Sequence, residues 1–359
     1  MVVYGSKISY FTGKFEAYLR WREIDYEYRP LDVHRYRSVI PDKLGATQYP
    51  SVELDDGRWM SDTSPMIAWL ERERPGPAVI PEDPVQRYIS LLVEDYADEW
   101  LWRPAMYYRW SHAPDRYLAG TRLAEEVVRV AGVPLAVRRR WIARRQERLF
   151  VSGDGVRRAN TAHVERSYLK PLEWLEQIFS ERPFMLGNRP TIADFGLMGP
   201  FWRHFVHDPT PARLMQERAP SVFEWAARTW NARESRDGGG SIAEGVPDDW
   251  SPILSEIGET HLEALAQNAI AYSAGREHHD LEVQGFTYPG VPTSAYRPWC
   301  LRRLQEGFRR LPAPAASEVR RILEDHGCWQ PLWRASEFRC DHDPDGTAPF
   351  CKATRMVRD

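Results

Sequence analysis

Hydroxyl-bearing side chains stand close together near the start of the chain, in the segment Ser9-Tyr10-Phe11-Thr12-Gly13-Lys14. This segment joins an apolar strand predicted at residues 2–4 to a helix predicted at residues 13–23. The first N–H groups of a helix have no partner within it, and with the helix dipole they stabilise negative charge. A nearby hydroxyl can donate a hydrogen bond to a thiolate and lower the pKa of its thiol. The turn therefore favours chemistry on an anion, while its structural alternative is a helix start capped by Thr12.

The chain supplies no thiol at this turn, because all four of its cysteines lie beyond residue 299. They are Cys300, Cys328, Cys340 and Cys351. A thiolate acted on at the turn must therefore come from a ligand, and thiol-disulfide exchange with a protein cysteine there is not expected. Three of the cysteines, with His342, have ligand types that suit zinc, but the paired Cys-x-x-Cys spacing is missing. We expect reduced thiols and no metal.

Two further polar segments follow in the same region. Gln48-Tyr49-Pro50-Ser51 enters a predicted strand with proline at its edge, where the missing N–H donor is tolerated. Asp62-Thr63 opens a predicted helix, which provides a second helix N-terminus suited to an anion.

The elements that must position these residues form a small α/β unit followed by helices. The predicted order is strand 2–4, helix 13–23, strand 25–29, strands 51–54 and 58–60 around Asp55-Asp56-Gly57, and helix 63–71. A proline-rich linker at residues 74–81 ends this unit.

Helical patterns dominate the rest of the chain. Asp83-Pro84-Val85-Gln86 opens a long helix that reaches about residue 102. Pro190-Thr191-Ile192-Ala193-Asp194-Phe195 forms a capping box that leads into an apolar helix at residues 196–205. A glycine-rich break at residues 237–247 precedes a further segment, in which we predict helices at 253–272 and 298–310 and an extended stretch at 281–288.

Together these pieces resemble the glutathione transferase superfamily. The run from Asp62 to Glu71 is similar to the family's Glu/Gln-Ser-x-x-Ile-x-x-Tyr-Leu-Glu pattern, and Arg189 to Phe195 resembles its N-capping motif. The resemblance implies α/β and all-α architecture: a thioredoxin-like glutathione-binding domain at residues 1–76 and an all-helical domain at residues 83–235. Residues 241–359 lie outside it, as a mainly helical C-terminal extension of unassigned role.

The resemblance also implies which residues bind glutathione, the expected co-substrate. Tyr49, before a cis-proline at Pro50, would pair through its backbone with the cysteinyl part. Asp62 and Thr63 would hold the γ-glutamyl end. Gln48 would face the glycyl carboxylate, or else lie in a surface loop.

Two alignments compete for the hydroxyl that activates the thiol. A serine-type reading selects Ser9 and runs without a gap into Glu16-Ala17-Tyr18-Leu19, whereas a tyrosine-type reading selects Tyr10 and needs a short deletion before Phe15. We favour Ser9. Thr12 lies in the same turn and is a further candidate for binding glutathione.

The second substrate is expected to bind against the first long helix of the helical domain. Tyr96 and Trp100 offer aromatic surface there, and core packing is the alternative for each of them. The expected substrate is a hydrophobic, electrophilic small molecule, and the reaction is attack by the glutathione thiolate. The rival hypothesis is a non-catalytic member of the family that acts as a binding or scaffold module.

Composition limits the other partners. The formal net charge of −3 gives no reason to expect nucleic acid, and the arginines between Arg138 and Arg148 are interpreted as a solvated helix face. Apolar runs fall short of the roughly 20 residues that span a membrane. The N-terminus lacks a secretory pattern, so we expect a cytoplasmic protein. A homodimer is expected from the resemblance alone.

Overall fold

The computed structural model describes residues 1–30, 34–128 and 132–353. The last residues of the predicted extension therefore lie outside the described part. Within it, the predicted fold class is observed: a thioredoxin-like α/β unit, an all-helical unit and a mainly helical extension. No helix in the described ranges is long and apolar enough to cross a bilayer.

The α/β unit contains a four-stranded sheet with helices packed on it. Its elements are β1 (Val2–Gly5), α1 (Tyr10–Trp21), β2 (Glu27–Pro30), α2 (Ile40–Leu44), β3 (Ser51–Glu53), β4 (Trp59–Ser61) and α3 (Thr63–Glu73). The strand order is β2-β1-β3-β4; β1 is parallel to β2 and antiparallel to β3, and β3 is antiparallel to β4. The predicted turn between β3 and β4 is present, with Gly57 at a φ of 83° that favours glycine.

Helix α1 begins earlier than the sequence pattern predicted. Ser9 has extended backbone angles and its Oγ accepts a hydrogen bond from the Thr12 N–H at 3.3 Å, so Ser9 caps the helix and Tyr10 is its first residue. The alternative of a cap formed by Thr12 is therefore incorrect. This cap places Ser9 at the junction between strand and helix.

The helical unit follows the α/β unit directly. Its helices are α4 (Pro84–Glu99), α5 (Trp102–Ser111), α6 (Ala113–Glu126), α7 (Leu135–Glu147), α8 (Thr161–Glu181), α9 (Ile192–Pro200), α10 (Pro209–Arg218), α11 (Pro220–Asn231) and α12 (Glu234–Asp237). Both predicted caps are present: Asp83 accepts the Gln86 N–H at 2.8 Å, and Thr191 and Asp194 form a reciprocal capping box. The apolar helix after the capping box begins at Ile192, four residues before its predicted start. Helix α9 continues past Pro200 as a wider π turn at Phe201–Val206.

The α/β and helical units share one hydrophobic core. Helix α1 packs on α9, where the rings of Tyr18 and Phe195 meet edge to face at 5.8 Å. Gly196 of α9 lies so close to α4 that an added Cβ would come within 2.7 Å of the Glu94 Cα. This close approach holds α1, α4 and α9 together beneath the N-terminal turn.

The extension contains helices and one β-hairpin. Its elements are α13 (Ser251–Glu256), α14 (Leu262–Ser273), β5 (His278–Val283), β6 (Phe286–Pro292), α15 (Arg297–Arg309), α16 (Ala313–Asp325) and α17 (Trp329–Arg334). The single extended stretch predicted at residues 281–288 is instead two antiparallel strands. Gln284 and Gly285 reverse the chain with φ values of 48° and 76°.

The extension packs on the outer face of α4. His261 pairs with Asp95 at 2.7 Å, Arg297 pairs with Glu99 at 3.3 Å, and the Phe308 ring meets Tyr88 edge to face at 6.1 Å. One face of α4 therefore carries the extension, and Lys14 of α1 pairs with α4 from the other direction.

Candidate functional site

The register of the sheet brings the predicted site segments to one edge. Tyr4 of β1 lies opposite Ser51 of β3, and Ser51 lies opposite Ser61 of β4. The chain leaves β1 after Gly5, enters β3 at Ser51 and leaves β4 after Ser61. The Ser9 turn, the Tyr49-Pro50 segment and the Asp62-Thr63 segment therefore start from the same end of the sheet.

Ser9 is the hydroxyl of this turn that solvent and ligands can reach. Its side chain is half-buried at the N-terminus of α1, and its Oγ accepts the Thr12 N–H. The Oγ keeps its own hydrogen available as a donor, since a hydroxyl both donates and accepts. A donor at a helix N-terminus can stabilise an anion.

Tyr10 has its side chain in the core. The ring is 1% exposed, packs beside Trp102 and His204, and lies against Gly199, where an added Cβ would come within 2.7 Å of the ring. The hydroxyl donates a hydrogen bond to the Ala97 carbonyl oxygen of α4. Burial raises the pKa of the Tyr10 phenol well above its usual range, with the Asp98 carboxylate adding to the effect.

Thr12 also points inward. It is fully buried, and its Oγ1 faces Gly5 of β1, where an added Cβ would come within 2.6 Å of that oxygen. This hydroxyl has no hydrogen-bond partner among the described residues. Thr12 contributes to the turn through its backbone N–H, which donates a hydrogen bond to the Ser9 Oγ.

The helical unit fixes the turn through Arg109 of α5. One of its guanidinium nitrogens donates to the Ile8 carbonyl oxygen at 2.6 Å, directly before Ser9. The guanidinium is itself paired with Asp208 at 2.7 Å, and both side chains are 4% exposed. Burial raises the pKa of Asp208 to about 6, against the lowering effect of Arg109. The backbone that carries Ser9 is therefore attached to a rigid, buried ion pair.

The Tyr49-Pro50 peptide bond is cis, as the resemblance implied. The Tyr49 ring stacks on Tyr36 with ring centroids 6.2 Å apart, and burial raises the pKa of its phenol. Gln48 is half-buried, and its carbonyl oxygen accepts the Ser51 hydroxyl at 2.8 Å. The segment thus enters β3 with its backbone held by the strand that follows.

Asp62 and Thr63 start α3 as predicted. Thr63 is buried as the first helical residue, and Asp62 precedes it with a φ of 73°, which aspartate tolerates better than most residues. Burial raises the pKa of the Asp62 carboxyl to about 6; a hydrogen bond from the Tyr296 hydroxyl, at 2.8 Å, opposes this rise. Tyr296 belongs to the extension.

Tyr96 of α4 and Trp100, the residue that follows α4, are core residues. They are 1% and 2% exposed, and their rings pack edge to face on His261 and His163. Core packing, the alternative weighed for both side chains, describes them in this structure. Because both side chains are buried, a second substrate could contact them directly only if they moved out of the core.

A different aromatic group lies beside the Ser9 turn. Phe11 stacks on Trp102 with ring centroids 6.0 Å apart, and Trp102 meets Phe150 edge to face at 5.5 Å. All three side chains are half-buried and so present part of their surface. The sequence pattern did not single them out, because they come from α1, α5 and the turn after α7.

Two family models match regions of this chain. A model described as the N-terminal domain of glutathione S-transferase matches residues 3–78, and one described as the C-terminal domain matches residues 141–228. The chain belongs to the glutathione transferase superfamily. The matched regions contain the sheet, the Ser9 turn, Pro50 and Asp62, and the capping box at Thr191, while the extension lies outside both.

Solved glutathione transferases are similar at low identity. A glutathione S-transferase from Rhodospirillum rubrum F11 is 15% identical with a TM-score of 0.42, covering 70% of this chain and 91% of its own. A glutathione S-transferase-like protein from Pseudomonas syringae is 16% identical with a TM-score of 0.43, covering 69% and 76%. A maleylacetoacetate isomerase from Methylobacterium extorquens AM1, solved with malonate and glutathione, is 20% identical with a TM-score of 0.35, covering 64% and 96%.

Sequence reasoning missed a buried charge cluster beneath the Ser9 turn. Lys14 of α1 is fully buried and pairs with Glu94 and Asp98 of α4, each at 2.5 Å, while Ser64 of α3 bonds to all three. The paired carboxylates raise the pKa of Lys14 despite its burial. The sequence places Lys14 in the same segment as Ser9. Its carboxylate partners lie about 80 residues away and follow no local pattern, so the pairing could not be predicted.

The cysteines of the extension lie apart from the Ser9 turn along the chain. Cys300 and Cys328 are buried, and Cys340 and Cys351 are half-buried. In the described ranges, no three or more His, Cys, Asp or Glu side chains come together as a metal site.

Proposed function

We propose that this protein is a glutathione transferase that uses Ser9 to activate the thiol of glutathione. The observation that carries the proposal is the contrast between the two hydroxyls of the turn. Ser9 is half-buried with its hydroxyl hydrogen available, whereas the Tyr10 hydroxyl is committed to Ala97 in the core.

Glutathione would lie along the edge of the sheet that carries the three segments. In the proposed mode the Tyr49 backbone, before Pro50, pairs with the cysteinyl part, and Gln48 faces the glycyl carboxylate. Asp62 receives the γ-glutamyl ammonium, while Thr63 and the N-terminus of α3 receive the γ-glutamyl carboxylate. These roles follow the family resemblance and are supported by the common sheet edge.

The chemistry proposed at Ser9 is thiol activation. The Ser9 hydroxyl donates a hydrogen bond to the sulfur, and the N-terminus of α1 adds positive potential, so the thiolate is favoured over the thiol. The thiol proton leaves to solvent, and the thiolate attacks an electrophilic carbon of the second substrate. With an aryl halide, the carbon–sulfur bond forms as the carbon–halogen bond breaks, and the halide leaves with the bonding electron pair. No protein cysteine takes part in this step.

We propose Phe11, Trp102 and Phe150 as the surface that receives the second substrate. They lie beside Ser9 along α1 and across the junction with α5, and they present aromatic faces to a planar, apolar molecule. An electrophile on an aromatic or conjugated frame fits this surface. Tyr96 and Trp100 would support it from the core. Thr12 would contribute through its backbone.

Assembly and location extend the proposal on the family resemblance alone. A homodimer and a cytoplasmic location are expected of a glutathione transferase of this kind. Light scattering after gel filtration tests the first, and fractionation of the source cells tests the second.

A second candidate is a glutathione transferase fold that binds without turnover. The extension approaches the γ-glutamyl end closely: Tyr296 bonds to Asp62, and the Ser61 N–H donates to the Pro349 carbonyl oxygen at 3.1 Å. Such contacts favour a binding or scaffold role in which the extension holds glutathione in place and excludes the second substrate.

One experiment separates the candidates. The purified protein is passed over immobilised glutathione and then assayed for conjugation of glutathione to an aryl halide. Retention with turnover supports the enzyme, and retention without turnover supports the binding module. Failure of the folded protein to bind glutathione contradicts both.

A further inference from the structure

The extension reaches the edge of the sheet where glutathione is proposed to bind. Besides the contacts of Tyr296 and Pro349, the Ala353 N–H donates to the Leu44 carbonyl oxygen at 2.6 Å. The Phe350 ring meets Trp69 edge to face at 5.3 Å. The extension therefore contacts the α/β unit at Asp62, at the preceding residue Ser61, and on helices α2 and α3.

Tyr296 is held firmly where it meets Asp62. It precedes α15, its N–H donates to the Ser294 hydroxyl at 3.1 Å, and its ring contacts Trp299 and His342 at centroid distances of 5.3 and 5.1 Å. A donor fixed in this way restricts the rotation of the carboxylate that accepts from it. A carboxylate accepts about four hydrogen bonds, so one bond from Tyr296 leaves capacity for a cationic ligand group.

The charges around Asp62 come from each element packed against it. The groups that act on it are Tyr296, Cys300 and Arg303 of the extension, Lys14 of α1, Glu94 of α4, and Cys351 near the C-terminal end of the described chain. Burial is the largest influence and raises the Asp62 pKa, while Tyr296, Arg303 and Lys14 lower it and Glu94 raises it. The Tyr296 hydroxyl is the strongest of the influences that keep this carboxyl ionised.

We propose that Tyr296 is a positioning residue of the glutathione site, holding the Asp62 carboxylate in the orientation that receives the γ-glutamyl ammonium group. This inference rests on the proposed function, because it assigns the extension a part in recognising the same co-substrate. Tyr296 acts through Asp62 and does not touch the reacting sulfur.

The test is glutathione binding to the full chain, measured by titration calorimetry between pH 5.5 and 8. Tyr296→Phe removes the donor and keeps the ring, so the dissociation constant at pH 7.5 should rise about three- to tenfold. Binding should weaken on acidification as Asp62 takes up a proton, and in the variant this weakening should begin about half a pH unit or more higher. A purely structural role for the ring would leave the pH at which binding weakens unchanged.

Tyr272→Phe is the matched control. Tyr272 donates to Asp341 at 2.8 Å, the same kind of bond in the same extension. It should bind glutathione like the unaltered protein. Melting curves for each variant show whether the fold persists.

A double-mutant cycle gives a second measurement. If Tyr296 acts through Asp62, Tyr296→Phe should change binding little once Asp62→Asn is present. The inference is overturned if Tyr296→Phe binds as tightly and with the same pH profile as the unaltered protein, or if its effect persists unchanged in Asp62→Asn. Lack of binding by the unaltered, folded protein instead removes the proposed function and this inference with it.

Discussion

Tyr10 donates its phenolic hydrogen to the backbone carbonyl oxygen of Ala97, across the junction between α1 and α4. A phenol used in this way fastens the first helix to the helical unit. The neighbouring residue, Ser9, turns its hydroxyl the other way and caps the same helix. The Tyr10 hydroxyl thus joins α1 to α4, whereas the Ser9 hydroxyl caps α1. Mutating each residue separately should therefore have different effects.

Ser9→Ala should lower kcat for glutathione conjugation by about 100-fold, because the sulfur loses its hydrogen-bond donor in the transition state. Affinity for glutathione should change much less. Ser6→Ala is the matched control, since it removes a hydroxyl from the same loop, where Ser6 bonds to Glu126 at 2.5 Å. Steady-state kinetics decide the matter, and equal loss in the two variants would contradict the role of Ser9.

Tyr10→Phe should destabilise the protein and spare its chemistry. The Ala97 carbonyl loses its buried donor, and we expect the free energy of unfolding to fall by about 1–2 kcal/mol. Urea denaturation measures this loss, and kcat should stay within about threefold of the unaltered value. A selective loss of kcat with unchanged stability would assign activation to Tyr10.

Lys14→Met should be strongly destabilising. The variant leaves Glu94 and Asp98 buried without their cation, for which the expected cost is about 3–5 kcal/mol. Lys170→Met is the control: Lys170 forms an exposed pair with Glu173 at 2.7 Å, and its loss should cost less than about 1 kcal/mol. Equal midpoints of urea unfolding for the two variants would show that the buried cluster adds no stability.

Asp62 should make stability depend on pH even without glutathione. The pKa of its carboxyl is about 6 in the folded protein against an ordinary 3.8, so between those values the folded state binds a proton that the unfolded state lacks. Its contribution to stability is therefore complete below about pH 4 and is lost as pH rises through about 6. The unfolding free energy of the unaltered protein, relative to Asp62→Asn, should fall by on the order of 1–2 kcal/mol between pH 4.5 and 7.

Asp25→Asn controls for the loss of one negative charge, since Asp25 is an exposed carboxyl of the same unit. Urea denaturation at several pH values supplies the comparison. A constant difference between the unaltered protein and Asp62→Asn across this range would contradict the raised pKa.

Trp102→Leu should weaken the second substrate selectively. Loss of the central ring of the Phe11-Trp102-Phe150 group should raise KM for an aryl halide about tenfold and leave KM for glutathione nearly unchanged. Trp141→Leu alters a tryptophan that is 55% exposed on α7 and should change neither constant. If Trp102→Leu instead raised only the KM for glutathione, the aromatic group would belong to the glutathione site.

Local sequence signals predicted most of the α/β unit and two helix caps of the helical unit. The hairpin around Gly57, the helix start at Asp62-Thr63 and the caps at Asp83 and Thr191 depend on residues within four positions of each other. Because these patterns depend only on residue types at nearby positions, they can be recognised in a single sequence. The start of α1 was displaced by three residues because two hydroxyls, Ser9 and Thr12, could each serve as the cap.

Side-chain partners far apart in the chain were not predictable. Lys14 and Asp98 are 84 positions apart in the sequence, and Tyr296 and Asp62 are 234 apart. No sequence period or motif predicts either pairing. Burial was equally hidden: Tyr96 and Trp100 have the composition of a binding surface, and only packing against His261 and His163 shows that they lie in the core. The β5-β6 turn was missed because Gln284-Gly285 is a weaker signal than Asn-Gly or Asp-Gly.

The hydrogen bond between Tyr296 and Asp62 also implies an order in which the surroundings of Asp62 form during synthesis of the chain. The ribosome makes the sheet, the Ser9 turn and Asp62 well before it adds Tyr296 and the segment that meets Ser61. A nascent chain can thus contain the complete α/β and helical units before the Tyr296 hydroxyl that bonds to Asp62 has been made. The surroundings of that carboxylate are completed only when the extension is added, so this part of the proposed glutathione site is among the last to take its mature form.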